Sequence, residues 1–268
     1  MSFQGKVAIV TGSSAGIGQA AVEIFATEGA CVTVHGQSEE RLKATANLLK
    51  KLNVPDSRVL IVQGAIEEEQ TQKRLIDETI KKFGRLDVLV NNAACSSGHG
   101  IDPNSLENLD FVMNSNLRSL IALTRMAIPY LAKTKGNVIN ISSCGSQRVS
   151  PISQPYVIMK AALDHYTRNA AVQYASQGIR VNTVSPGFID TLFRSRHDAN
   201  QEKKKAIETY VDRTIQIVVP LKRSGSAREV ANVIEFLASD KASYVTGANW
   251  VVDGGYLTGA PPEQIESK

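Results

Sequence analysis

Val7-Ala8-Ile9-Val10-Thr11-Gly12-Ser13-Ser14-Ala15-Gly16-Ile17-Gly18 opens the informative part of the chain. Four small or β-branched apolar residues give a buried strand, and the glycine-rich stretch that follows turns it into a helix. One glycine lets the backbone turn tightly, and another lets it approach a ligand closely. The helix N-terminus then supplies free N–H groups and a positive dipole end. The spacing is G-x-x-x-G-x-G rather than the more common G-x-G-x-x-G. Its position at the first strand–helix junction points to a dinucleotide pyrophosphate.

Outward from this turn, short β-branched runs alternate with amphipathic helical stretches. Strands are predicted at Val7–Thr11, Cys31–His35, Val59–Gln63, Leu86–Val90, Asn137–Ile141, Arg180–Val184 and Trp250–Val252. Helices are predicted near Gly16–Glu28, Glu39–Leu52, Glu67–Phe83, Leu106–Ala132, Gln154–Ser176 and Arg228–Ser239. Such alternation implies βαβ units, hence an α/β fold: a Rossmann-like three-layer sandwich on a doubly wound parallel sheet of about seven strands. No linker or composition shift divides residues 1–268, so one domain is expected. The stretch Thr191–Pro220 breaks the alternation as a long charged helical lobe and is expected to cover the ligand crevice. The tail from Gly259, with Pro261-Pro262, is expected to be loose or docked on a neighbour.

Composition narrows the function classes. The chain is 43% hydrophobic and 21% charged, ordinary for a protein that buries a core. No apolar run approaches a bilayer span, and Met1–Lys6 leaves no room for a signal peptide, so a cytoplasmic protein without a membrane partner is expected. Cys31, Cys95 and Cys144 and the four histidines lack metal-ligand spacing, so neither a metal nor a disulfide framework is expected. The net charge of +4 is spread along the chain and gives no footprint for nucleic acid.

Tyr156 and Lys160 lie four residues apart on a predicted helix and share a face. A tyrosine near pKa 10 is a poor base at neutral pH, and moving it down by about three units takes roughly 4 kcal/mol. An ammonium about 4–5 Å away at an effective dielectric near 20 supplies about 3–4 kcal/mol. The pair is therefore expected to serve as general base for alcohol oxidation or general acid for carbonyl reduction. Ser143 stands at the carboxyl end of the strand Asn137–Ile141, where open α/β sheets carry their ligands. Ser142 competes by adjacency, but alternation lets only one of the two face the site.

In order along the chain, the glycine pattern, Asn91-Asn92-Ala93-Ala94, Asn116, Ser143, Tyr156-x-x-x-Lys160, Pro186-Gly187 and Asp253-Gly254-Gly255 resemble the short-chain dehydrogenase/reductase family, from about Gly5 to Tyr256. The resemblance implies hydride transfer between NAD or NADP and a small alcohol/carbonyl substrate, usually by a homodimer or homotetramer. It assigns catalysis to Asn116, Ser143, Tyr156 and Lys160, with Ser143 and Tyr156 on the substrate oxygen. Asn116 would hold a water beyond the lysine, with Asn114 the alternative. Cofactor contacts are implied for Gly12, Ser13, Ser14, Gly16, Ile17 and Gly18 at the pyrophosphate, and for Asn92, Ala93 and Ala94 along the adenosine ribose. Pro186, Gly187, Ile189 and Thr191 would hold the nicotinamide, and Lys160 its ribose.

The departures from the family pattern concern the adenosine end. Gly64-Ala65-Ile66 lacks the aspartate common at Ala65, leaving the Ile66 backbone to face the adenine. Gly36 replaces the acidic residue that would bind a ribose 2′-OH. His35, Gln37, Ser38 and Arg41 are near enough in sequence to contact a 2′-phosphate, although Gln37 stands where NADP-using relatives often carry arginine. NADP is favoured over NAD. Glu39 and Glu40 are read as first-turn acids after a Ser38 N-cap. The substrate is expected among the residues after Ala94, those around Cys144–Ile152, and the lobe's Leu192, Phe193, Ile207, Tyr210, Val211, Arg194, Arg196 and Lys203–Lys205. The alternative to an enzyme is a non-catalytic nucleotide-binding sensor or scaffold on the same fold.

Overall fold

The computed structural model describes residues 2–149, 154–191, 193 and 201–259. Seven strands form one all-parallel sheet: β1 (Val7–Val10), β2 (Cys31–Gly36), β3 (Val59–Gln63), β4 (Val88–Asn91), β5 (Asn137–Ile141), β6 (Arg180–Pro186) and β9 (Asn249–Val252). Their spatial order is β3-β2-β1-β4-β5-β6-β9. The order reverses between β1 and β4, where Ala8 lies opposite both Val32 and Val88. A crevice opens at the carboxyl ends of the strands beside such a reversal. The predicted strands are therefore all present, with shifts of one or two residues at their ends.

Side-chain alternation along the strands divides the interior into two cores. Ala8, Val10, Val88, Val90, Ile139 and Val184 face α1 (Gly16–Thr27), α2 (Glu39–Lys51) and α8 (Ala227–Ala238). Ile9, Leu89, Val138 and Val181 face α3 (Glu69–Phe83), α5 (Ser119–Thr134) and α6 (Gln154–Tyr174). Both faces of the sheet are thus covered, and the polar side chains of its central strands, Asn91 and Asn140, pair with each other and with Thr124 and Thr167. Fully burying each such Val, Ile or Leu contributes about 1.5–3 kcal/mol.

The stretch Leu106–Ala132, expected as one helix, is α4 (Leu106–Met113), a π-helical turn (Asn114–Arg118) and α5. The lobe contains α7 (Gln201–Val218), and its two ends meet in a small parallel pair, β7 (Ile189–Asp190) with β8 (Gly225–Ser226). Leu192, Arg194, Arg196, Ile152 and Pro261-Pro262 lie outside the described residues, as do the side chains of Lys203, Lys204 and Ile207. No helix among the described residues is long and apolar enough to cross a membrane.

Candidate active site

The glycine turn forms one wall of a cleft of about 440 Å³ along the carboxyl ends of the strands. Gly12 and Gly16 have φ of +65° and +59°, which only glycine adopts without strain. A Cβ on Gly12 would lie 2.9 Å from the Ala93 Cα, and one on Gly18 2.5 Å from the Asn92 Nδ2. The turn is pinned from both sides. From β4, the Asn92 and Ala93 N–H groups both donate to the Thr11 hydroxyl at 2.9 and 3.0 Å. From β2, the Gly12 N–H donates to the His35 Nδ1 at 3.1 Å.

Helix α1 starts at Gly16 behind Ala15, with no side-chain cap and no acidic residue in its first turn. The α2, α4 and α8 N-termini are capped by Ser38, Ser105 and Ser226. The α1 donors and dipole thus remain available for an anion in the cleft. A backbone cradle of this shape, closed to side chains and open to an anion, fits a dinucleotide pyrophosphate.

Further along the cleft, Ser143 follows β5, and its Oγ accepts from the Gly145 N–H at 3.0 Å. Tyr156, on the first turns of α6, stands beside the Ser143 side chain, which favours its phenolate. Burial nevertheless pushes its pKa up to about 12, because the phenolate loses hydration. Lys160 is 1% exposed and donates to the Ile141 carbonyl at 2.7 Å. Burial pushes its pKa down to about 8, with Cys95 and Asp164 pulling the other way. Its Nζ lies 5.6 Å from the Tyr156 ring centroid. The expected lowering of the phenol by the ammonium is not what acts on Tyr156 here: burial dominates, and Ser143 is the group that opposes it. Ser142 also borders the cleft, but its hydroxyl is spent on the Lys160 carbonyl at 3.1 Å, which leaves Ser143 as the serine turned to Tyr156.

The family model described as Enoyl-(Acyl carrier protein) reductase matches residues 12–257. A 3-oxoacyl-acyl-carrier-protein reductase of Thermotoga maritima is 36% identical, covering 96% of this chain and all of that protein. The chain belongs to the short-chain dehydrogenase/reductase family. A glucose 1-dehydrogenase of Gluconobacter oxydans is likewise 36% identical, over 94% of this chain and 92% of that protein. A Caenorhabditis elegans short-chain dehydrogenase/reductase of unknown function, solved with cofactor, superposes with a TM-score of 0.92 at 34% identity, covering both chains fully. As a short-chain dehydrogenase/reductase, the protein is a nicotinamide-dependent oxidoreductase.

Most of the residues singled out from sequence line the cleft: Gly12, Ser14, Gly16, Ile17, Gln37, Ile66, Asn92, Ala93, Ala94, Ser143, Tyr156, Lys160, Pro186, Gly187, Ile189 and Thr191. Three do not. Ser13 is fully buried beneath the turn, its hydroxyl donating to the Val10 carbonyl at 2.7 Å. Gly18 packs under Asn92 and Gly12, where its role is to let these segments touch. Asn116 is fully buried in the π turn, and its amide grips the Cys95 backbone from both sides, accepting from its N–H at 2.9 Å and donating to its C=O at 2.7 Å. Its Nδ2 keeps a second N–H beyond these two bonds.

Cys95 and His99, after Ala94, and Phe193 of the lobe border the catalytic end where the substrate was expected, whereas Phe111, Ser115 and Glu67 near Ile66 were not singled out. The Phe193 ring stands 5.7 Å from that of Tyr156. The apolar periodicity of the lobe was the signal for Phe193, whereas Phe111 and Ser115 face the cleft through the packing of α4 and its π turn. At the adenosine end, a Cβ on Gly36 would sit 2.6 Å from the Ser14 Oγ, so no carboxylate fits there without displacing Ser14. Arg41 lines the same end, and its buried Nε has no hydrogen-bond partner.

Proposed function

We propose that the protein interconverts a secondary alcohol and its ketone or aldehyde, preferring NADP to NAD, with Tyr156 moving the proton. The observation that carries this reading is the grouping of Tyr156, Ser143 and Lys160 at the end of β5 beside the glycine cradle. In the reducing direction the Tyr156 hydroxyl, strongly protonated by burial, donates to the carbonyl oxygen as negative charge develops there. Ser143, whose oxygen accepts from Gly145, keeps its proton for the same substrate oxygen. Lys160, held on the Ile141 carbonyl, lends positive charge beside the phenol. Held by the glycine cradle and by Pro186, Gly187, Ile189 and Thr191, NADPH would supply a hydride to the carbonyl carbon, or NADP+ would accept one from the alcohol, its cationic ring then favouring the phenolate. Phe193 walls the reacting end from water.

The preference for NADP rests on Arg41 and on Gly36. A guanidinium with an unspent buried N–H suits a 2′-phosphate, and the carboxylate that would repel it is absent. The relatives are named as reductases and dehydrogenases of unlike compounds, which supports the reaction class and no single substrate.

The test is a panel of carbonyls and alcohols read by absorbance of the reduced cofactor, with Tyr156→Phe as control. The variant is expected to bind cofactor and lose turnover by a factor of about 10² or more. An active Tyr156→Phe would refute the proton role. Cofactor binding with no turnover across a broad panel would favour the sensor or scaffold. Tighter binding of NADH than NADPH would refute the cofactor preference.

A further inference from the structure

We infer that His35 is a positioning residue for the cofactor turn: its ring nitrogen fixes the Gly12 amide at the head of the glycine cradle and so sets affinity for the dinucleotide. The inference rests on the dinucleotide reading of that cradle and deepens it. Two further hydrogen bonds join the same residues, Ser13 N–H to the His35 carbonyl at 2.8 Å and His35 N–H to the Ser13 Oγ at 2.9 Å. Any amino acid at position 35 could make these, since they use its backbone. The bond from the Gly12 N–H to Nδ1 needs a side chain with an acceptor at that place.

Two observations argue that the ring is more than filler. His35 is 2% exposed, yet its Nε2 only approaches the Gly64 backbone and closes no well-formed hydrogen bond. A buried polar atom left this way costs stability, and an aliphatic side chain would fill the space without that cost. Accepting at Nδ1 also fixes the tautomer, with the proton of the neutral ring on Nε2. Moreover, the turn has no slack: Gly12 is held at positive φ against the Ala93 Cα, and Thr11 ties the opposite side to Asn92 and Ala93. His35 supplies the matching grip from β2, so the amides of the turn keep one spacing.

Three variants separate the acceptor from the bulk. His35→Asn keeps an acceptor at the Nδ1 position, His35→Leu keeps volume without one, and His35→Gln moves the acceptor one bond outward. The readouts are NADPH affinity by calorimetry, hydrogen exchange of the Gly12 amide, and kcat at saturating cofactor. His35→Leu and His35→Gln are expected to weaken NADPH binding by about tenfold and to speed Gly12 exchange, with kcat held within about twofold. His35→Asn is expected to restore both affinity and protection. Where His35→Leu fails to fold, the Gln and Asn variants decide alone. NADPH affinity unchanged in His35→Gln, or lost equally in His35→Asn, overturns the inference. Wild-type protein that binds neither NADPH nor NADH overturns the dinucleotide reading itself.

Discussion

Tyr156 holds its proton firmly because the cleft strips water from the phenolate faster than Ser143 compensates. Lys160 donates to the Ile141 carbonyl and makes no direct bond to the phenol. Removing the Ser143 hydroxyl should therefore cost catalysis and leave cofactor binding intact. For Ser143→Ala we expect kcat/KM to fall by about tenfold to a thousandfold with NADPH affinity unchanged, measured by steady-state kinetics and calorimetry. Arg41 gives the matching test at the other end of the cleft. Arg41→Gln should weaken NADPH by roughly ten- to a hundredfold and leave NADH nearly unchanged, as expected for a charge-assisted contact to one phosphate. These roles differ in how plainly the sequence displays them. Ser143, Tyr156 and Lys160 are legible because type and spacing together carry the chemistry. Arg41 becomes distinctive only through its unpartnered Nε, a property of packing that no spacing encodes.

At the scale of elements, the break between α4 and α5 was invisible in the sequence. The π turn is stabilised by Asn116 closing on Cys95, which lies 21 residues away on the loop after β4. Local propensity therefore continues the helix, and only the tertiary partner reveals the irregularity. Asn116→Ala should leave both backbone groups of Cys95 without their side-chain partner, costing about 1–3 kcal/mol in chemical denaturation together with a loss of turnover. Unchanged stability would detach Asn116 from this role. In α1 the legible feature was the glycine pattern, whereas the division of labour within it was not. Gly12 and Gly16 face the cleft, and Gly18 makes room behind them. Gly18→Ala forces its methyl into Asn92 and the Gly12 carbonyl, so it should reduce cofactor affinity and lower stability by about 1–3 kcal/mol. Thermal melts with and without NADPH would check it.

For the whole molecule, strand number and the parallel, helix-covered sheet follow from short β-branched runs separated by helices, because each helical crossover returns the chain to a parallel strand. Buried ionisable groups then shape its response to pH. His35 is held neutral in the fold, its pKa pushed down to about 4 by burial, against about 6.5 in the unfolded chain. The unfolded chain thus binds an extra proton between these values. The contribution of the neutral ring is intact above about pH 6.5 and is lost as pH falls towards 4, by about 3 kcal/mol in all. Urea midpoints measured across this range should drop more steeply for wild type than for His35→Asn. Equal slopes would remove His35 as the cause. The pairing of β7 with β8 has a different kind of consequence. Ile189-Asp190 and Gly225-Ser226 bring the two ends of the segment between them together. The chain between them closes a loop whose entropy cost grows only slowly with length. A change in the length of that segment should therefore cost little in closure entropy and leave the order of the seven strands as it is.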